Sequence, residues 1–213
     1  MFRQTTWQED FRVDLRTAIL DEHTDIGAIA ALLDSASTDE RKAAVLTLGR
    51  DEQRRLYQKA TAAPAITLDH FVKPDVAART EVIHHGKNTL PLPKKHQLFQ
   101  KRFCRPEDGS ARLFGYNHSP SKGLIGPGYF VAVPTTDKPD WAARGPVVVD
   151  YYQVPDAPVV DGWPKVISNS RGLQFFVYRG TRDYMRRVSA HVSIGAAYKG
   201  EKPLDHYFVL CRD

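Results

Sequence analysis

Residues 98–154 constrain the fold most, because four strand-like segments follow one another there with turn residues between them. They read LFQKRFCR (98–105), ARLFGYNH (111–118), GYFVAVPT (128–135) and PVVVDYYQV (146–154). Pro106-Glu107-Asp108-Gly109 separates the first pair, and proline, Asp and Gly together suit a tight reversal between pairable segments. Polar stretches at 119–123 and 136–145 separate the rest. Links this short imply an antiparallel meander, since parallel strands need long crossovers. Within ARLFGYNH the period of two puts Phe114 and Tyr116 on one face and Leu113 and Gly115 on the other. A closing hairpin is expected from HVSIGAAYK (191–199) and DHYFVLCRD (205–213), with KGEKPLD as its turn.

Residues 1–63 carry a different period. Phe11, Leu15, Ala18 and Ile19 share one helical face, and Ile26, Ile29, Ala30 and Leu33 repeat the stripe after a break at His23–Asp25. Ser37 and Glu40 have capping-box spacing and open a third helix, which Gly49 stops. Asp51 and Glu52 put negative charge at the start of a fourth, as the helix dipole favours. Four prolines punctuate residues 64–96, which read as a connector with one strand-like run at 80–83. Leu173, Phe176, Val177, Gly180, Tyr184 and Val188 keep a helical spacing, which places a helical insertion at 170–189.

The expected fold is α+β. A helical region (1–63) packs on a β-rich part (64–213), a curved antiparallel sheet or small β-barrel of about six strands with a helical insertion before the C-terminal hairpin. At 213 residues the chain can bury a substantial core. It has no run of eighteen apolar residues, so no membrane partner is expected. Its first ten residues lack an apolar leader, so a cytoplasmic location is expected. Cys104 and Cys211 lack metal-ligand spacing and read as buried thiols. Charge is uneven: residues 1–63 carry 9 Lys/Arg and 11 Asp/Glu, net −2, whereas residues 64–213 carry 21 and 14, net +7. Such an excess suits an anionic partner, solubility, or docking of the acidic helices on the basic sheet.

No motif names a reaction or a cofactor. His84, His85, His96 and His118 are the natural metal ligands by type, but no HExxH, CxxC or His-x-His spacing is present, and no metal site is expected. Polar aromatic groups at strand positions are the best guides to a cavity, since buried polar groups need partners. On that ground Tyr116, His118, Tyr129, Tyr151 and Arg182 are expected to contact a polar or anionic small molecule, making the chain a ligand-binding or interaction module. An alternative is an enzyme with His118 or His191 as general base, acting with Asp150 or with Cys104, whose thiol Arg102 and Arg105 would acidify. A second alternative is nucleic-acid binding. It rests on residues 94–105, where Lys and Arg interleave with Phe99 and Phe103, and on the arginines of 179–187.

Overall fold

A computed structural model describes residues 2–119, 126–171 and 178–212. Eight antiparallel strands close into a barrel, each pairing with its neighbour in sequence and the last returning to the first. They are β1 (Val82–Asn88), β2 (Leu98–Cys104), β3 (Leu113–His118), β4 (Tyr129–Pro134), β5 (Val147–Asp150), β6 (Thr181–Arg187), β7 (Val192–Lys199) and β8 (Lys202–Arg212). The α+β architecture is the one expected, in its barrel form, with eight strands rather than about six. The meander of 98–154 is β2 to β5, and the closing hairpin is β7 and β8. Its turn is tighter than expected: only Gly200 and Glu201 separate the two strands, with Gly200 at φ 57.

The two additional strands lie where helix and connector were expected. Residues 178–180 form a turn and Thr181–Arg187 is β6, so the helical insertion at 170–189 is corrected there; residues 172–177 lie outside the described set. Gly180, Tyr184 and Val188 recur every four residues, a spacing that an extended chain also places on one face. Pairing with β5 and β7 settles the choice, with Asp183 opposite Val149 and Ala197. β1 occupies the supposed connector. Its inward positions are His84, Gly86 and Asn88, so it shows no apolar alternation. Gly86 is needed there, because a Cβ would come within 2.8 Å of Phe99 and Leu210.

The helices are α1 (Phe2–Leu20), α2 (Ile26–Ser35), α3 (Thr38–Val45) and α4 (Arg50–Lys59), close to their expected bounds. Asp25 caps α2 by accepting from the Ala28 amide at 2.8 Å, and Ser37 with Glu40 forms the capping box of α3. Buried Arg41 donates to the Leu33 and Ala36 carbonyls at 3.2 and 3.0 Å, satisfying acceptors that the end of α2 leaves open. Leu15, Ile19, Ile29, Leu33 and Leu56 share one core with Val192, Ile194, Val209 and Cys211. The helical region is therefore packed on the outer face of β7 and β8. No helix among the described residues is long and apolar enough to cross a membrane.

Two further coverings complete the body. The short α5 (Leu68–Phe71) closes one end of the barrel, where Phe71 and Val72 join Phe103, Leu113, Val147 and Met185. Residues 157–163 lie over the outward face of β2 to β4, with Val159, Val160 and Trp163 against Cys104, Phe114 and Val131. Short helices α6 (Lys94–Gln97) and α7 (Pro139–Ala142) sit in the β1–β2 and β4–β5 connections.

Candidate functional site

An eight-stranded barrel has a lumen that side chains just fill, or that holds one small ligand. Here the closed end is filled. The Phe130 and Phe208 rings occupy the space over Gly115 and Gly195, where a Cβ would lie 2.4 and 2.2 Å from them. Above these rings the lumen turns polar. Lys101 on β2, Asn117 on β3, Tyr151 just after β5 and Asp183 on β6 all point inward, and are 1%, 5%, 4% and 6% exposed.

Their hydrogen bonds interlock. The Lys101 Nζ donates to Asn117 Oδ1 and Asp183 Oδ2, each at 3.1 Å, and to the Tyr151 hydroxyl. Those three acceptors use all three ammonium protons. The Tyr151 oxygen also accepts from Asn117 Nδ2 at 2.9 Å, and the hydroxyl interacts with the Asp183 carboxylate. Asn117 reaches the Gly128 carbonyl at 3.2 Å. Tyr178 stacks on Tyr151 with ring centroids 5.2 Å apart, its ring passing over Gly128, which at φ 55 has no Cβ to obstruct it. Four rings surround the ammonium: its nitrogen is 4.8 Å from the centre of Phe208, 4.9 Å from Phe130, 5.0 Å from Tyr151 and 5.8 Å from Phe99.

Burial dominates the titration of Lys101, Tyr151 and Asp183. It lowers the Lys101 pKa against the opposing charge of Asp183, and raises that of Asp183 against Lys101. It also holds the Tyr151 hydroxyl far above its ordinary range, with Asp183 adding to the effect. Each group is thus pushed toward its neutral form while the ion pair resists. A cavity of about 140 Å³ adjoins this cluster, walled by Lys101, Asn117, Tyr151, Tyr178 and Asp183 with Phe99 and Phe208. Half-buried Leu90, Leu204 and His206 form its rim at the end opposite α5.

Of the five residues expected to line one cavity, Tyr151 alone borders this one. Tyr116, His118 and Tyr129 come together on the outer face of β3 and β4. The Tyr116 ring is 5.5 Å from Tyr129, 6.3 Å from His118 and 4.9 Å from Trp163. Arg182 also points outward, from β6. It lies 3.3 Å from Asp150, with the Trp141 and Tyr152 rings 4.3 and 4.2 Å away. The expected single site is therefore corrected to three separate places. The cause is the period of two: Tyr116 and Arg182 adjoin the inward Asn117 and Asp183 and so face away.

The four catalytic candidates are likewise not assembled. His118 on β3 and Asp150 at the end of β5 have β4 between them, and Asp150 is engaged by Arg182 and the Tyr152 amide. Cys104 and His191 lie at the closed end, one on β2 and the other in the β6–β7 turn. Burial pushes the Cys104 thiol up to about 11, the reverse of the acidification expected. Arg102 and Arg105 instead pair with Glu81 at 3.0 Å and Asp69 at 3.2 Å. These pairs also remove basic groups from the 94–105 face, as does the inward turn of Lys101. In the second basic segment Arg186 donates to the Tyr57 carbonyl at 2.7 Å and to Thr61 at 2.8 Å.

Sequence reasoning did not place Lys101 or Asp183 in a cavity. A signal existed for the first: Lys101 stands between Phe99 and Phe103 at the same parity, and both rings belong to the lumen. Asp183 has no such marker, since its role depends on partners from other strands. Among the described residues no group of three His, Cys, Asp or Glu side chains could hold a metal ion. Comparison with known proteins finds no matching family model, no matching curated protein and no matching solved structure, so the functional reading rests on the chemistry of the barrel cavity.

Proposed function

We propose that the protein binds a small polar molecule in the upper barrel, with Lys101 as the group that anchors it. One observation carries the reading: Lys101, a residue 1% exposed, adjoins a cavity of about 140 Å³ with aromatic walls. A purely structural ion pair would be stable packed to normal interior density, with no space left beside it. The cavity is close to the roughly 150 Å³ that accommodates benzene. The ligand is therefore small, with one hydrogen-bond acceptor that takes over the Lys101 proton now held by Asn117 Oδ1, and an apolar remainder for Phe99 and Phe208. Asp183 already balances the lysine charge, so a neutral carbonyl suits the site better than a carboxylate, whose charge Asp183 would oppose.

The test is titration of the full chain with butyramide and with butyrate, followed by amide and side-chain NMR shifts. Saturable shifts at Asn117, Gly128 and Tyr151, stronger for butyramide, are expected. An absence of saturable shifts for either compound at the tens-of-millimolar concentrations where weak fragments bind would remove the reading.

A further inference from the structure

We infer that Lys101 is a carbonyl-condensing amine, and that the ligands matched to the cavity are small aldehydes or ketones held as an imine on its Nζ. The inference rests on the binding reading above and adds a covalent step to it. The cluster supplies each part such a step needs. A primary amine lies at the wall of the cavity rather than on the surface. A carboxylate, Asp183 Oδ2, stands 3.1 Å from that nitrogen and can take the ammonium proton. The Tyr151 hydroxyl touches the same nitrogen, and Asn117 Oδ1 at 3.1 Å accepts from it while the Asn117 amide holds the tyrosine oxygen.

The reaction balances without any further reagent. Asp183 takes one proton from the Lys101 ammonium, leaving a neutral amine with a free electron pair. That pair forms the C–N bond to the carbonyl carbon, and the C=O π pair moves to oxygen. The carbinolamine oxygen takes a proton from Tyr151, which the nitrogen's own proton restores through Asp183. The nitrogen's remaining pair then forms the C=N bond as the C–O bond breaks, and the C–O pair leaves with the oxygen as water after a second proton from protonated Asp183. The product is one protonated imine, paired with the again ionised Asp183, and one water, with no oxidation or reduction. Burial favours this course in two ways: it disfavours the ammonium relative to the amine, and it limits the water that would hydrolyse the imine. The rings of Phe99, Phe130 and Phe208 supply an apolar surround for the alkyl part.

The experiment treats the full chain with butanal and sodium cyanoborohydride at neutral pH, then locates butylated lysines by peptide mapping. Reductive trapping at Lys101 is expected to outpace that at every surface lysine, since burial favours the neutral amine and the cavity holds the aldehyde beside it. Butyramide, which carries the acceptor but does not condense, is expected to slow labelling of Lys101 alone. Lys101→Met combined with Asp183→Asn removes the fast site and leaves surface labelling unchanged, with circular dichroism confirming the fold. Labelling confined to surface lysines overturns the imine. If butyramide still gives saturable shifts in that case, the binding reading survives, and if it does not, both fail.

Discussion

Lys101 occupies an inward position flanked by Phe99 and Phe103, where the strand period calls for an apolar residue. Its charge is tolerated because Asp183, Asn117 and Tyr151 take every ammonium proton. Removal of one partner therefore leaves the other buried and uncompensated. Lys101→Met is expected to lower stability by about 3–5 kcal/mol, which for a chain of this size is a fall of roughly 6–20 °C in melting temperature. Adding Asp183→Asn neutralises the stranded carboxylate and should recover a large part of that loss. Calorimetry on the single and double variants decides it: equal losses in both would mean that the charge pair is not the source. At this scale the sequence is only partly informative. Tyr151 is recognisable as a polar aromatic, but Asn117 and Asp183 acquire their roles from strands far away in the chain.

At the scale of elements, α4 is fixed to β8 by Asp205. Arg50 and Arg54 both donate to its carboxylate, at 2.5 and 2.9 Å. Asp205 itself sits at φ 52, a left-handed conformation that Asp and Asn tolerate better than other side chains. The hydrogen bonds from the two arginines hold its pKa down to about 2. A carboxylate depressed in the folded state stabilises above its unfolded pKa of about 3.9, and the effect is lost as pH falls through the folded value. Asp205→Asn keeps the backbone preference and removes the charge. It is expected to lower the melting temperature modestly near pH 7, given the exposure of the pair, and by less near pH 2, where the carboxylate of the folded protein is partly protonated. Thermal scans of both proteins at the two pH values test this, and a difference as large at pH 2 as at pH 7 would contradict it. The helices themselves were legible, since caps and 3.6-residue stripes are local. β1 and β6 were not: His84, Gly86 and Asn88 carry no apolar alternation, and the four-residue spacing in 180–188 satisfies both periods.

Over the whole molecule, two separate coverings seal the outside of the barrel, and each hides one thiol. Cys104 lies under residues 157–163 and Cys211 under the helices, both fully buried and neither in a disulfide. With the Cys104 thiol raised to about 11 as well, the folded protein is expected to give no reaction with Ellman's reagent at pH 8, and full reaction of both thiols once unfolded. Intermediate denaturant adds information. The helical region shares its core with β7 and β8, so Cys211 should become reactive only with global unfolding, as followed by circular dichroism. Earlier reaction at Cys211 would show that the helices detach by themselves.

Local patterns in the chain determine much of this protein. Helix caps, the apolar stripes of residues 1–63, and the alternation and turns of 98–154 each rest on interactions a few residues long. They suffice to establish α+β architecture with a curved antiparallel sheet. Closure into a barrel depended on β1 pairing with β8, a contact between Gly86 and Leu210 that no local signal announces. The interior followed from closure. Once the sheet is a barrel, parity decides which residues meet, and it sends Tyr116 and Arg182 outward while bringing Lys101, Asn117, Tyr151 and Asp183 within hydrogen-bonding reach. A site assembled from four elements across 82 residues of chain is a property of tertiary structure, because only the closed barrel removes those groups from water together.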